Sequence, residues 1–235
     1  MRILYAIGFD IRFQFRHGFY YAYLFVSVFY ILGLLSLTNI DFRQTVTTLM
    51  LFTDTTMLGF FFIGALVLLE KSQRIHESLF ITPYRLYEYF ISKVVSLTII
   101  SMTSSLAIVL AVHRHIEHPV IFVLGLALSS CFFTLFGFIF AARANNVNDY
   151  FAKALALGMA MSLPLIDFLD VFKSWIFYLF PSQATLIMIN SAFKDYSIAA
   201  IIYSIVSLIA WSALIARVAY RSFYNNIIYK IGSGV

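Results

Sequence analysis

Residues 49–93 read LMLFTDTTMLGFFFIGALVLLEKSQRIHESLFITPYRLYEYFISK and show the pattern from which the architecture can be predicted. This stretch opens with an apolar run, Leu49–Leu69, that is long enough to cross a bilayer, which takes about 20 residues in a helix. A densely charged segment, residues 70–93, comes next, and a second apolar run, Val94–Val112, follows it. The stretch therefore predicts two membrane-spanning helices joined by a charged loop on one side of the membrane.

The composition of the whole chain has the same character. Of its 235 residues, 62% are hydrophobic and 11% are charged, whereas soluble proteins carry about 25% charged residues. Its 16 basic and 11 acidic side chains cannot cover a water-facing surface, so a soluble fold is excluded. We expect an all-α polytopic membrane protein with a single transmembrane domain over residues 1–235. The single cysteine, Cys131, can form neither an intrachain disulfide nor a thiol cluster.

The distribution of basic residues predicts the orientation. Six apolar runs are candidate spans, and an even number puts both termini on one side. Twelve lysines and arginines lie on the side of the termini and four on the other, so both termini and the 70–93 loop are predicted to be cytoplasmic. The net charge of +5 therefore indicates orientation and not nucleic-acid binding. The six transmembrane helices are predicted at Phe19–Leu37, Leu49–Leu69, Val94–Val112, Val120–Ala142, Phe151–Leu169 and Ile198–Arg217.

Two further segments are apolar without being predicted to span. Residues 1–17 place apolar side chains on one helical stripe with arginines roughly opposite, which predicts an N-terminal interfacial helix on the cytoplasmic leaflet. Residues 171–193 are broken by Lys173 and by Pro181–Gln183, so each piece is too short to span. They are predicted to form an external re-entrant hairpin before the sixth span, with Pro181–Gln183 as its turn.

The cytoplasmic loop has a pattern of its own. Apolar residues recur at helical spacing among charged ones from Ser72 to Phe80, which predicts a short amphipathic helix. Pro83 ends that helix, and Thr82 caps the turn that leads into the third span. A rigid elbow with an amphipathic face is suited to receive force from a soluble partner, and a plain solvated loop is the alternative.

The same loop resembles that of a known family. Residues 70–83 follow the pattern Glu-basic-x5-Glu-x-Leu-x-x-Thr-Pro, and Glu88-Tyr89-x3-Lys93 extends it. This region closely resembles the coupling-helix region of type-two exporter permeases of the ATP-binding cassette (ABC) superfamily. Residues 16–23 and 59–70 resemble more particularly the fluoroquinolone and multidrug export branch. The resemblance covers nearly the whole chain.

The resemblance implies a function. The chain would be the permease subunit of an ATP-driven exporter, and it would move a hydrophobic or amphipathic substrate, such as a fluoroquinolone, out of the cell by alternating access. The sequence holds no G-x-x-x-x-G-K-[ST] loop, so it is not expected to be an enzyme or to bind a cofactor, and a separate ABC ATPase subunit would bind ATP and Mg. A second permease copy or a paralogue would complete a dimer in a prokaryotic plasma membrane.

The resemblance also assigns residues. Glu70, Lys71, Glu88 and Lys93 form the motif that flanks the coupling helix, and Thr82-Pro83 forms its elbow. Many members carry a glycine where this chain has Arg74-Ile75, so a more regularly helical backbone is expected there. The residues expected to contact the ATPase are Arg74, Ile75, Glu77, Ser78, Leu79 and Phe80.

Asp54, inside the second span, is a candidate on chemical grounds. An acid in a transmembrane helix is costly and marks ion or substrate paths. It lies near the predicted outer end of the span, where water would lower that cost. Tyr30, Asp54 and Thr55 are the predicted substrate pathway. An alternative function is a secondary carrier that uses Asp54 as its ion or proton site.

A cluster on the external loop after the third span supports a second alternative, a small membrane metalloenzyme. His113, His115, Glu117 and His118 have side chains that zinc accepts as ligands. Their spacing along one loop does not by itself give tetrahedral geometry, and a hydrated turn explains them equally.

Asp167 and Asp170 lie at the outer end of the predicted fifth span. Such a carboxylate pair could bind a cation or act in proton transfer. Lys173 follows at helical spacing, so a salt bridge explains the pair more simply.

Overall fold

The computed structural model describes residues 2–75, 84–144 and 146–228, and for Met57 and Leu58 it describes the backbone alone. The predicted all-α class is confirmed, because the described residues form helices joined by turns and contain no strand. The helices are α1 Arg2–Arg16, α2 Phe19–Leu35, α3 Ile40–Thr53, α4 Gly59–Ser72, α5 Leu86–His113, α6 Pro119–Arg143, α7 Val147–Met161, α8 Leu165–Phe168, α9 Pro181–Asn190 and α10 Ile198–Phe223, with π-helical turns at Asp54–Leu58 and Tyr224–Ile228 and a 3-10 turn at Trp175–Leu179.

Four helical stretches of the described chain are long and apolar enough to cross a membrane, and α1 with α2 adds a fifth if they count as one bent span. α1 and α2 meet at 67° across Gly18, whose φ of 83° is left-handed, a conformation that glycine adopts readily. The predicted fifth span is interrupted, because α7 ends at Met161 and Pro164 precedes a new short helix. A multi-pass membrane protein is thus supported, whereas the six-span arrangement is not confirmed. The four stretches are Ile40–Ser72, Leu86–His113, Pro119–Arg143 and Ile198–Ile228.

The stretch that contains the second predicted span is much longer than its apolar run. α3, a π-helical turn and α4 follow one another without a break from Ile40 to Ser72. The stretch begins early because the Asn39 side chain caps it, accepting a hydrogen bond from the Phe42 amide at 3.1 Å. At about 1.5 Å per residue, Asp54 lies about 21 Å from the start of the stretch. The structure therefore places Asp54 in its middle and not near its outer end.

α6 is the central helix, and α4, α5, α9 and α10 pack against it. Two apolar clusters fill the space around these helices. One lies where α4, α6 and α10 end and α5 begins, and it includes Phe60, Tyr89, Phe138, Tyr150 and Phe223. The other lies at the opposite ends of the helices and includes Leu51, Ile108, Phe122, Leu186 and Ile189.

The outer faces of the bundle are apolar, as a lipid-facing surface requires. Phe25 and Phe29 of α2 and Ile202 and Val206 of α10 are all exposed. α9, by contrast, is buried along its whole length. Pro181–Gln183 form the first turn of this buried helix, because proline at the first helical position already has a helical φ. The prediction that these residues form the turn of a hairpin is therefore wrong.

Candidate functional site

Three charged side chains from three helices meet in the interior. The Lys93 ammonium of α5 donates a hydrogen bond to Asp10 Oδ1 of α1 at 2.6 Å and another to Glu70 Oε1 of α4. The Tyr89 hydroxyl donates to the second oxygen, Glu70 Oε2, at 2.6 Å. The Lys93 side chain is 1% exposed, Asp10 5% and Glu70 3%. We call Asp10, Glu70 and Lys93 the ion triad.

Helix geometry brings the members of the ion triad together. Tyr89 and Lys93 are four residues apart on α5 and therefore share one face of that helix. Glu70 lies in the last turn of α4, where the chain leaves the bundle. Asp10 and Gln14 form the buried face of α1, and the Gln14 amide donates to Ser96 Oγ of α5 at 2.7 Å. The protein-facing side of α1 is thus centred on Asp10 and Gln14, with Phe13 packed against the apolar core beside them, and the exposed side carries Leu4, Tyr5, Phe9 and Phe15.

The positive charge of Lys93 is compensated by contacts within and around the ion triad. A buried ammonium is stable only when it is paired and hydrogen-bonded, and here two carboxylates accept from it. The rings of Phe13 and Tyr89 add cation–π contacts, with their centroids 5.7 Å and 5.3 Å from Lys93 Nζ. Two acids and one base leave an excess negative charge, which the Tyr89 hydroxyl helps to stabilise through Glu70.

The remaining predicted flanking residues hold the ends of the same helices. The Arg85 amide donates to Glu88 Oε2 at 2.8 Å, which satisfies a free backbone group at the start of α5. Lys71 Nζ donates to the carbonyl oxygen of Ala144 at 3.1 Å, and this contact ties the end of α4 to the end of α6. Glu70, Lys71, Glu88 and Lys93 therefore make structural contacts at the end of α4 and the start of α5, on either side of residues 76–83.

The predicted docking segment is described only at its start. Arg74 follows the end of α4 with a left-handed φ of 54°, the conformation that glycine favours. The expectation of a more regular helix at Arg74-Ile75 is therefore wrong, because the backbone turns here as it would with glycine. Ile75 is half-buried. The other predicted contact and elbow residues, Glu77, Ser78, Leu79, Phe80, Thr82 and Pro83, lie outside the described residues.

A cavity of about 460 Å³ adjoins the ion triad. Its wall combines Tyr5 and Phe9 of α1 with Ile75 and Tyr84, the residues on either side of the undescribed segment, and all three members of the ion triad line it. Tyr84 contacts the Ser92 hydroxyl at 3.2 Å, and burial raises the pKa of its phenol. The residues that flank 76–83 on both sides, Ile75 and Tyr84, therefore line a cavity that adjoins the ion triad.

The predicted substrate-pathway residues form a second polar site. Asp54 opens the π-helical turn and is 1% exposed. Neither of its carboxylate oxygens has a hydrogen-bond partner among the described residues, and the Thr55 hydroxyl has none either. Tyr23 and Tyr30 of α2 lie within electrostatic range of Asp54. Tyr23 and Tyr30 are therefore close enough to interact with Asp54 electrostatically, and the role of Tyr30, Asp54 and Thr55 in a substrate pathway stays a prediction.

The external histidine cluster is dispersed. Within the described ranges, His, Cys, Asp and Glu side chains form no group of three or more that could hold a metal ion. His113 Nε2 lies 2.9 Å from the Thr47 hydroxyl, and His118 Nε2 lies 2.6 Å from Asp195 Oδ1. His115 faces Glu117 at 3.9 Å on the exposed loop. These side chains point to different partners, so the geometry does not favour the metalloenzyme alternative.

The carboxylate pair also separates. Lys173 Nζ lies 2.7 Å from Asp170 Oδ1, as the salt-bridge explanation predicted, and the lysine lowers the pKa of that exposed carboxyl. Asp167 accepts a hydrogen bond from the Gln183 amide at 2.7 Å. The two acids therefore serve different contacts.

Sequence reasoning missed Asp10. A signal was present, because Asp10 is the only acid within residues 1–17, a segment that is otherwise basic or uncharged. An acid in such a helix requires a buried cation or water. The distant Lys93 satisfies it, and no local spacing rule connects the two residues.

The whole chain is similar to known proteins. A family model described as the fluoroquinolones export permease protein family matches residues 1–231. Fluoroquinolones export permease proteins from two strains of Mycobacterium tuberculosis are 26% identical to this chain over 234 residues, and the match covers 98% of this chain and 98% of each relative.

Proposed function

The chain belongs to the fluoroquinolones export permease protein family, and on that basis we propose that it is the membrane-spanning subunit of an ATP-driven ABC exporter. The family match over residues 1–231 carries this proposal, because it supports a membrane permease of an exporter. The motif from Glu70 to Pro83 supports the ABC assignment. A separate ATPase subunit supplies the energy and binds ATP and Mg.

The coupling segment transmits the movement of that ATPase. In the proposed mechanism, Arg74, Ile75 and residues 77–80 dock on the ATPase, and closure of the ATPase on nucleotide displaces them. The displacement is passed to Glu70 in α4, which precedes the docking residues, and to Lys93 in α5, which follows them. Because Lys93 also holds Asp10, α1, α4 and α5 move together and not one at a time. The ion triad is therefore the joint between the docking segment and the spans.

The substrate crosses by alternating access. Two copies of the chain, or this chain and a paralogue, form the pathway between them in the plasma membrane of a prokaryote, with both termini in the cytoplasm. The names of the Mycobacterium tuberculosis relatives support a fluoroquinolone or a similarly flat, amphipathic molecule as substrate. Tyr30, Asp54 and Thr55 line the pathway.

Co-purification from the native membrane tests the proposal. Wild-type chain in mild detergent should bring down a soluble nucleotide-binding protein with ATPase activity, and Glu77→Lys should lose it, because charge reversal in the docking segment opposes binding. Glu117→Lys is the matched control. It makes the same exchange of charge on the predicted external side and should retain the partner.

Two results would contradict the proposal. One is that no ATPase accompanies the wild type, and the other is that Glu77→Lys and Glu117→Lys retain it equally. Ion-driven uptake without ATP, abolished by Asp54→Asn, would instead establish the secondary carrier.

A further inference from the structure

We propose that Asp54 binds a positively charged nitrogen of the transported molecule, so that the substrates of this permease are amphipathic amines. This inference rests on the proposed export function and assigns the chemical class of its substrate. It concerns the site formed by Asp54 on the π-helical turn, the tyrosines of α2 and the hydroxyls of α5 that face it.

The first argument is the state of the carboxylate. Asp54 lies in the middle of a candidate membrane-spanning stretch, and neither of its oxygens has a partner at hydrogen-bonding distance among the described residues, although the Ser104 hydroxyl is close enough to interact with the carboxylate. No lysine, arginine or histidine of the described chain forms an ion pair with it. An unpaired buried carboxylate is among the most costly groups in a membrane protein, and it is retained where it performs a function. The missing partner is a cation.

The ion triad provides an internal comparison. There, Lys93 Nζ donates a hydrogen bond to one oxygen of each of two buried acids, and these ionic hydrogen bonds offset part of the free energy cost of burying them, although Asp10 Oδ2 has no partner among the described residues. Asp54 has comparable burial, and no cationic side chain of the described residues forms an ion pair with it. The buried acids of the ion triad are thus paired with a lysine, whereas buried Asp54 is not.

The second argument is the supply of hydroxyls. Ser101 and Ser105 are buried on α5, the helix that packs against the π-helical turn, and neither hydroxyl has a partner among the described residues. Ser104, between them, interacts with Asp54 and holds the Ser27 hydroxyl at 2.7 Å. A protonated amine carries several N–H donors, so it needs acceptors beyond one carboxylate. α5 carries such hydroxyls beside Ser104 in the sequence, at Ser101 and Ser105.

The third argument is the aromatic wall. Tyr23 and Tyr30 of α2 are close enough to Asp54 to interact with it electrostatically, and Tyr30 is half-buried while Tyr23 is buried. The outer face of α2 is exposed and apolar. An aromatic molecule with an amine can therefore place its rings on tyrosine and its charge on Asp54, since aromatic faces attract cations as well as other rings. A simple metal ion would not use this wall.

Binding to the full chain in lipid nanodiscs tests this assignment. Ciprofloxacin has a piperazine nitrogen that is protonated at neutral pH, and in N-acetylciprofloxacin that nitrogen is an uncharged amide. Quinolone fluorescence anisotropy measures the Kd of each compound. Wild type should bind ciprofloxacin about tenfold or more tightly than the acetylated form, and Asp54→Asn should bind both equally.

Two further variants keep the result interpretable. Asp54→Glu retains the charge and should retain the preference for ciprofloxacin. Asp41→Asn removes an exposed acid from the same helical stretch and should behave as wild type. Thermal unfolding shows whether each variant is folded. If Asp54→Asn does not fold, loss of the preference in a folded Asp54→Ser variant takes its place.

The outcomes separate the inference from the proposed function. A preference for the amine that survives in Asp54→Asn overturns the inference, as does wild type that binds both compounds equally or binds neither. A preference that depends on Asp54, in a protein that shows no ATP-dependent transport with its partner, supports the binding site and rejects the exporter. ATP-dependent export of both compounds by Asp54→Asn supports the exporter and rejects the site.

Discussion

Lys93→Met is the change that tests the ion triad most directly. Methionine fills a similar volume without charge, so the variant removes the cation and leaves Asp10 and Glu70 buried without it. Removing one partner of a buried ion pair costs about 3–5 kcal/mol, because the remaining charge is not compensated. For a chain of this size each kcal/mol lowers the unfolding midpoint by about 2–4 °C, so a decrease of about 6–20 °C is expected.

The assay is thermal unfolding of the purified protein, followed by tryptophan fluorescence and by circular dichroism at one fixed scan rate. Lys173→Met is the matched control. It also removes a lysine from an ion pair, but both partners are 75% exposed, so its midpoint should not change measurably.

A neutral triple variant makes the prediction sharper. Asp10→Asn combined with Glu70→Gln and Lys93→Met leaves no buried charge, so it should unfold well above Lys93→Met alone. The ATPase subunit should still bind the triple variant. If the ion triad couples the movements of α1, α4 and α5, however, substrate should no longer stimulate ATP hydrolysis by that subunit. The reasoning is refuted if Lys93→Met unfolds within about 2 °C of wild type, or if the triple variant is less stable than the single one.

Two further predictions concern the backbone. A Cβ at Gly64 would collide with the ring of Tyr150, so Gly64→Ala should destabilise by about 1–3 kcal/mol, whereas Gly33→Ala, which meets nothing within 4 Å, should be neutral or slightly stabilising in the same unfolding assay. Arg74 has a left-handed φ, so the free energy of unfolding of Arg74→Gly should exceed that of Arg74→Ala by about 1 kcal/mol. Equal unfolding midpoints for the two variants would contradict a strained backbone at this turn.

Much of the fold was predictable because hydrophobicity is a summed property. An apolar composition of 62% predicts a membrane protein wherever its helices begin and end, and the family predicted from residues 16–23 and 59–70 is confirmed. The number of membrane spans was harder to predict from the sequence. A few residues interrupt a helix that the apolar run continues through, as the break between Met161 and Leu165 at Pro164 shows in the predicted fifth span.

Part of the candidate site was predictable as well. Glu70 and Lys93 were identified by their motif, and Asp54 by the cost of an acid in a span. The contacts expected of residues 77–80 lie outside the described residues and stay predictions.

The sequence alone was enough to predict that the chain is helical, that it lies in a membrane and that it belongs to a family of exporters. Hydrophobic composition is a sum over residues, and helical periodicity and motifs depend only on residues that are close in the sequence. Only the tertiary structure decided which buried charges are paired. Asp10 and Lys93 are 83 residues apart and meet because α1 packs against α5, whereas none of the lysines and arginines that the structure describes pairs with Asp54. The free energy of a buried charge depends on what lies a few ångströms away, and that distance is set by the packing of helices remote in sequence.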